Sequence, residues 1–105
     1  MSSYNHVVII PARKNSLGYP KKNRIFFNKT VNFVKSIKWF NKVILSSDDI
    51  WFKQKCKINK FDFYKRNNKL SGPKVPIKDV FDDIIKKFNF DSNTIIWLMY
   101  IPLLP

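Results

Sequence analysis

The fold class is decided by one segment, Val7-Val8-Ile9-Ile10-Pro11-Ala12-Arg13-Lys14-Asn15-Ser16-Leu17-Gly18-Tyr19-Pro20-Lys21-Lys22-Asn23. Its first four residues are β-branched and stop at a proline, which is typical of a strand buried on both faces of a sheet. Residues 11–24 then contain one glycine, two prolines and several cations. This composition predicts an ordered basic loop, the kind of segment in which binding groups concentrate.

Further strands and helices alternate along the rest of the chain. Apolar runs predict strands at residues 42–46, 61–64 and 94–98. Helical spacing predicts one helix capped by Asn28, a short one that starts at Ser47 to Asp49, and a third over residues 77–88. Alternation of this kind favours right-handed crossovers and a three-layer, Rossmann-like α/β fold, with a mostly parallel sheet and helices on both faces. At 105 residues, we expect a single domain spanning 1–105.

The charge is strongly unbalanced, with 20 Lys and Arg residues against 7 acidic ones and a net charge of +13. This balance favours anionic partners such as nucleotides or nucleic acid. The chain is also rich in Lys, Asn, Ile and Phe and has a single alanine, so the positive charge could reflect a general compositional bias rather than a function. The charge therefore indicates anionic ligands as a class without identifying one.

Several classes of protein are excluded or disfavoured. One cysteine and one histidine exclude a disulfide framework and a Cys/His metal cluster. The chain has neither a P-loop nor a G-x-G-x-x-G motif, and it contains no glutamate for paired-carboxylate catalysis. No apolar stretch approaches the ~20 residues of a membrane span, and the first residues lack the features of a signal sequence, so we expect a cytoplasmic protein.

Ligands of parallel α/β sheets bind outside the carboxyl ends of the strands. In this chain those ends lead into residues 11–24, 46–49, 65–76 and 99–105. The topology should therefore bring Arg13, Lys22 and Arg66 to one edge of the sheet, where they would form a polyanion site.

The quoted segment resembles the signature of the sugar-acid cytidylyltransferases, the group that includes the CMP-sialic acid synthetases, in which a strand precedes A-R-x-x-S-K-G-x-P-x-K-N. The agreeing positions are Ala12, Arg13, Ser16, Gly18, Pro20, Lys22 and Asn23, whereas Leu17 stands where the family has a lysine. Residues 43–49 resemble the family's strand ending in S-T-D, Arg66 with Leu70 resembles its R-P-x-x-L, and residues 95–98 resemble the strand before its Q-P-T-S-P-L.

The resemblance implies a nucleotide-diphospho-sugar transferase-like fold, of which this chain covers the N-terminal half. It implies that CTP and a sialic-acid-like sugar acid are the ligands, that CMP is transferred with release of pyrophosphate, and that Mg²⁺ is the cofactor, with ligands outside this chain. A homodimer is left open. Arg13 and Lys22 would be catalytic, and the nucleotide would contact Ala12, Arg13, Ser16, Gly18, Lys22, Asn23 and Arg66.

Other interpretations of the same residues stay open at this point. Arg13 and Lys22 could be solvated charges, and Ser16 and Asn23 could be turn residues that bond their own backbone. Asp48 and Asp49 are expected to cap a helix, and no metal is assigned to them. The chain as a whole could instead be a non-catalytic basic module for nucleic acid or a partner protein. The apolar tail from Met99 also suggests a protein that completes its sheet by self-association.

Overall fold

A computed structural model describes residues 4–12, 15–16, 19–20, 22–65 and 77–99. The side chains of Asn15, Ser16, Tyr19, Pro20, Lys22, Asn23, Ile25 and Ile77 lie outside this description. The elements in chain order are β1 (Asn5–Pro11), β2 (Asn15–Ser16), β3 (Tyr19–Pro20), α1 (Lys22–Ser36), β4 (Lys42–Ser47), α2 (Trp51–Asn59), β5 (Asp62–Lys65), α3 (Ile77–Phe88) and β6 (Thr94–Leu98).

The main sheet has four strands in the order β5-β4-β1-β6, and every neighbouring pair is parallel. The chain builds outward from β1 through β4 to β5, and then returns across the sheet to place β6 on the other side of β1. The predicted α/β class with a parallel sheet is therefore confirmed.

Helices cover both faces of the sheet, as the three-layer prediction requires. On one face, Val8 and Ile10 of β1 pack in a cluster with Phe27 of α1 and Phe52 of α2, all of them buried. On the other face, Val7, Ile9 and Ile44 pack against Val80 and Ile84 of α3. The alternation of β1 side chains between these two clusters explains why its run is apolar without interruption.

The third helix and the fourth predicted strand have the bounds that the sequence predicts, Ile77–Phe88 and Thr94–Leu98. The first helix differs, because α1 begins at Lys22 and Asn28 is an exposed residue within it rather than its cap. Burial explains the difference: Phe26 and Phe27 continue the inward face of Thr30, Val31 and Val34 toward the N-terminus, and this packing extends the helix.

Two further features differ from the sequence predictions. The segment after β1 contains a small antiparallel pair, β2 with β3, where only an ordered loop is predicted. The strand β6 is not buried as expected, because it lies at the edge of the described sheet and exposes Ile95, Trp97 and Leu98. None of the described helices has the length and apolar composition that crossing a membrane requires.

Candidate functional site at the carboxyl edge of the sheet

All four strands of the main sheet run in the same direction, so their carboxyl ends lie along one edge. These ends are Pro11 of β1, Ser47 of β4, Lys65 of β5 and Leu98 of β6. The chain leaves β1 toward α1 and β4 on one side, while β6 lies on the other side. The gap beyond β1 and β6 is therefore the topological switch point, at which open α/β sheets leave room for a ligand.

Backbone hydrogen bonds hold the start of both flanking segments against the sheet. The N–H of Ala12 donates to the carbonyl of Ser46 at 2.9 Å, and the N–H of Met99 donates to the carbonyl of Ile9 at 3.0 Å. Ala12 is fully buried, so it anchors the β1–α1 segment to β4. Its role as a nucleotide contact stays a prediction.

The segment between β1 and α1 places three other predicted site residues by their backbone. Ser16 pairs with Tyr19 in the β2–β3 hairpin, and the helix α1 then opens with Lys22 and Asn23. The N-terminal turn of a helix carries unpaired N–H groups and a positive partial charge, both of which favour an anion nearby. Arg13, Gly18 and Arg66 lie outside the described residues, as does Leu17.

An ion pair that sequence reasoning missed joins α1 to the end of β4. Arg24 donates from Nε to Oδ2 of Asp49 at 2.6 Å, and from Nη2 to Oδ1 at 2.7 Å. The Asp49 side chain is 1% exposed and that of Arg24 is 26% exposed. These hydrogen bonds raise the pKa of Arg24, with burial opposing them and the charge of Asp49 adding to them. Two parallel bonds of this kind fix the orientation of both side chains.

Asp49 also organises the start of α2. Its Oδ1 accepts a hydrogen bond from the N–H of Trp51 at 3.2 Å, and its own N–H donates to Oγ of Ser47 at 2.9 Å. The carboxylate of Asp49 therefore bonds to the first residue of α2, but the expected cap is wrong: α2 begins at Trp51, and its N-cap position is taken by Ile50, which forms no side-chain cap hydrogen bond. Trp51 lies beneath two cations, with Arg24 at 5.3 Å and Lys55 at 5.1 Å from its ring centroid.

The resemblance assigns Mg²⁺ no ligands within this chain. Among the described residues, no group of three or more His, Cys, Asp or Glu side chains is arranged to hold a metal ion. Asp49 lies at the carboxyl edge of the sheet, but its carboxylate already accepts two hydrogen bonds from Arg24 and one from the backbone. The expectation of Mg²⁺ rests on the family resemblance alone.

A cavity of about 300 Å³ lies at the opposite edge of the sheet, beside the amino ends of β1, β4 and β6. Its lining includes Asn5, Asn41, Lys42, Phe90 and Asp91. Because ligands of parallel α/β sheets bind at the carboxyl edge, this cavity is not the candidate nucleotide site.

Comparison with solved structures shows what the fold is similar to. The chain superimposes on the structure of CMP:2-keto-3-deoxy-manno-octonic acid synthetase complexed with CTP, with a TM-score of 0.71 over 91% of its length. The two share a fold. Sequence identity is 16%, and the chain spans 39% of the length of the synthetase. No protein-family model and no curated protein matches the sequence.

Proposed function

We propose that this chain is a cytidylyltransferase-like domain that binds CTP at the carboxyl edge of its sheet. The observation that carries the proposal is the position of the β1–α1 segment beside the topological switch point, with Lys22 and Asn23 in the first turn of α1. This is the segment that resembles the sugar-acid cytidylyltransferases. The solved structure with a similar fold is that of a synthetase complexed with CTP, which supports a nucleotide of the same class as the ligand.

The proposed reaction is attack by a hydroxyl oxygen of a sugar acid on the α-phosphorus of CTP. A new carbon–oxygen–phosphorus linkage forms, the bond from the α-phosphorus to the bridging oxygen breaks, and pyrophosphate leaves. Catalysis of this type depends mainly on positioning and on cations that offset charge on the phosphate oxygens. Arg13 would hold two phosphate oxygens with its planar guanidinium, and Lys22 would act as a point charge.

The remaining predicted contacts concern the nucleotide. Gly18 would allow the backbone near Ser16 to approach an anion closely, because it lacks a Cβ atom. Asn23 has a donor and an acceptor that suit the base or the ribose, and Arg66 would add a further contact to the nucleotide. Leu17 stands in place of the family's lysine, so one cation is missing. A hydrogen bond to a charged group contributes ~1.5–3 kcal/mol, and its loss predicts weaker activity.

The acceptor is a finer question than the nucleotide. The resemblance favours a sialic-acid-like nine-carbon sugar acid, whereas the structural neighbour is a synthetase for the octonic acid. We propose a 2-keto sugar acid of this general class, with Mg²⁺ accompanying the triphosphate and a cytoplasmic location. This chain covers only 39% of the length of the synthetase. Nucleotide binding and turnover are therefore two separate proposals, and each needs its own experiment.

Equilibrium binding of CTP and ATP at fixed ionic strength tests the nucleotide site. A preformed site should prefer CTP by at least about tenfold, and Lys22→Gln should weaken binding by about tenfold or more. Lys35→Gln is the matched control, because Lys35 lies in the last turn of the same helix and is exposed. Equal, weak binding of all triphosphates that falls steeply with salt would instead favour the non-catalytic basic module.

Turnover is tested by assaying pyrophosphate release from CTP, Mg²⁺ and a panel of sugar acids that includes both a sialic-acid-like compound and the octonic acid. Activity that depends on one acceptor and is abolished by Arg13→Ala would support the transfer reaction. Selective CTP binding without pyrophosphate release from any acceptor would restrict the function to nucleotide binding.

A further inference from the structure

The two helical layers of the fold differ in charge. On one face of the sheet, α1 has four Lys or Arg residues and α2 has three, and neither helix contains a carboxylate. On the other face, α3 has three lysines and three aspartates, so its charges balance. A compositional bias toward lysine alone would affect both layers alike. The net charge of +13 is therefore concentrated on one face, the outer surface of α1 and α2, which we call the α1–α2 layer.

Several lysines of the α1–α2 layer are exposed and form no ion pair with a described carboxylate. Among them are Lys29 of α1 and Lys53 and Lys57 of α2. Lys53 and Lys57 are four residues apart, so they lie on the same side of α2, one turn from each other. Other cations of the layer have structural contacts instead, because Arg24 bonds to Asp49 and Lys55 lies over the ring of Trp51. The exposed lysines are therefore available to an external anion.

The end of α2 adds a cation at a position where the backbone favours glycine. Lys60 has a φ of 61° and a ψ of 34°, and its N–H donates to the carbonyl of Lys57 at 3.3 Å. A residue with a Cβ atom is disfavoured in this left-handed region, so helices usually end there in Gly or Asn. The helix α3 follows that preference with Asn89, at a φ of 49°. Lys60 is exposed, so no burial offsets its unfavourable backbone, and its ammonium group extends the row of lysines on α2.

The apolar faces of both helices are already packed against the sheet. Phe27 of α1 and Phe52 and Cys56 of α2 are buried in one cluster with residues of β1 and β4. On their exposed sides, α1 has Phe33 and α2 has Ile58, which are single side chains rather than an apolar stripe. A helix that binds a lipid surface needs a free apolar face, so this arrangement disfavours a membrane. It favours a partner that is recognised through charge.

We propose that the α1–α2 layer binds the phosphate backbone of double-stranded nucleic acid through Lys29, Lys53, Lys57 and Lys60. Lysines on a rigid helical surface contact phosphates as point charges and do not read the bases, so binding should be independent of sequence. Proteins that bind single strands stack the bases on aromatic side chains. The ring beside these lysines, Trp51, already lies beneath two cations, which favours a duplex.

The proposed surface is separate from the carboxyl edge of the sheet. The helix α2 packs over β4 and β5, at the end of the sheet opposite β6, and its exposed lysines lie along the outside of the helix. The inference therefore does not depend on the binding of CTP, and either proposal can fail without the other.

Fluorescence anisotropy of the full chain with a labelled duplex tests the proposal. We expect a Kd of ~1–100 μM near physiological salt, similar for unrelated sequences, and a slope of about −4 for log affinity against log salt. DNA and RNA duplexes are compared, because both present phosphates, and the tighter one identifies the partner. Absence of binding to both duplexes at low salt would overturn the proposal. Binding of phosphatidylserine vesicles without binding of either duplex would also overturn it.

Two variants with the same loss of charge locate the surface. The double change Lys53→Gln with Lys57→Gln should weaken duplex binding by about tenfold or more and make the salt slope shallower by about 2. The double change Lys86→Gln with Lys87→Gln is the matched control, because these exposed lysines lie on α3. It should change the affinity by less than about threefold. Equal losses in the two variants would show that binding follows net charge alone, and would overturn the proposal.

A third variant separates binding from stability at the end of α2. Lys60→Asn should leave the thermal unfolding midpoint unchanged or raise it, because asparagine tolerates the left-handed conformation that the position requires. It should nevertheless weaken duplex binding by about threefold and reduce the salt slope by about 1. Circular dichroism establishes that each variant is folded. An unchanged affinity and slope in Lys60→Asn would overturn the assignment of this lysine to the contact surface.

Discussion

Arg24 and Asp49 lie 25 positions apart in sequence, and their two hydrogen bonds of 2.6 and 2.7 Å tie the first turn of α1 to the end of β4. The pair lies beside the segment proposed to bind nucleotide. Lys22 and Asn23 immediately precede Arg24 in the same helical turn. The first turn of α1 therefore contains a cation that ties the helix to the sheet, two positions after Lys22, which is proposed to contact a phosphate.

Asp49→Asn should destabilise the protein clearly, because it removes the buried charge that receives both Arg24 bonds. We expect the free energy of unfolding, measured by urea denaturation, to fall by about 2–3 kcal/mol. The control is Asp82→Asn, which removes the exposed Lys78–Asp82 pair of 3.3 Å and should cost less than about 1 kcal/mol. Equal losses in the two variants would contradict a structural role for Asp49.

Thr30→Val should leave stability unchanged or raise it by about 1 kcal/mol. The hydroxyl of Thr30 is buried in α1 and has no hydrogen-bond partner among the described residues, whereas valine has the same shape without the polar atom. Thr30→Ser is the comparison, because it keeps the hydroxyl and loses the methyl group, and it should destabilise the protein. Thermal unfolding of both variants measures the difference. A marked loss in Thr30→Val would show that the hydroxyl is bonded.

Cys56 should be almost inert toward alkylating reagents in the native protein. The side chain is 1% exposed, and burial, with a smaller effect of Asp62, raises the pKa of its thiol to about 12. Because the thiolate is the reactive form, both the burial and the raised pKa slow alkylation relative to an ordinary exposed thiol. We expect labelling by iodoacetamide to be at least about a hundredfold slower in native protein than in urea.

A matched variant makes the thiol experiment specific. The double change Cys56→Ser with Ile58→Cys moves the thiol to an exposed position on the same helix, and this thiol should react at an ordinary rate. Rapid labelling of Cys56 in the native state would contradict its burial.

Tyr64 should contribute stability that is lost at alkaline pH. Its hydroxyl donates to Oδ2 of Asp83 at 2.7 Å, which joins β5 to α3. Burial first, then this bond and the charge of Asp83, raise the pKa of Tyr64 to about 12 from an ordinary value of 10.0. The unfolded chain therefore releases the phenolic proton at lower pH than the folded chain, and stability from this group is complete below pH 10 and falls between about 10 and 12.

The test is urea denaturation of Tyr64→Phe across that pH range. The variant should lose about 1 kcal/mol at neutral pH and should show a shallower alkaline decline than wild type. Tyr4→Phe, at an exposed position, controls for loss of a phenol in general. Contributions shared by all three proteins, such as that of Cys56, cancel in the comparison. An unchanged alkaline slope in Tyr64→Phe would refute the assignment.

Much of the fold could be predicted because its signals are local. The spacing of Val80, Ile84 and their neighbours predicts α3, and the β-branched run from Val7 predicts a strand buried on both faces. The start of α1 could not be predicted in this way. Residues 22–27 mix cations with aromatics, and only the packing of Phe26 and Phe27 onto the sheet makes them helical.

The candidate site, like the fold, has a part that could be predicted from the sequence and a part that could not. The motif from Ala12 to Asn23 and the rule for parallel sheets together predict which edge carries the site, whereas the ion pair of Arg24 with Asp49 has no signature in sequence. Either residue alone is one more cation in a basic loop or one more carboxylate near a helix start. Their pairing required the crossover that places α1 beside the end of β4.

The amino-acid sequence by itself determined the class of fold, the parallel order of strands and helices, and the segment proposed to bind nucleotide, because each depends on patterns within a few consecutive residues. Only the tertiary structure decided which strands are interior and which lie at an edge. The similar apolar runs of β1 and β6 end with opposite exposures, since burial depends on neighbours that come from distant parts of the chain.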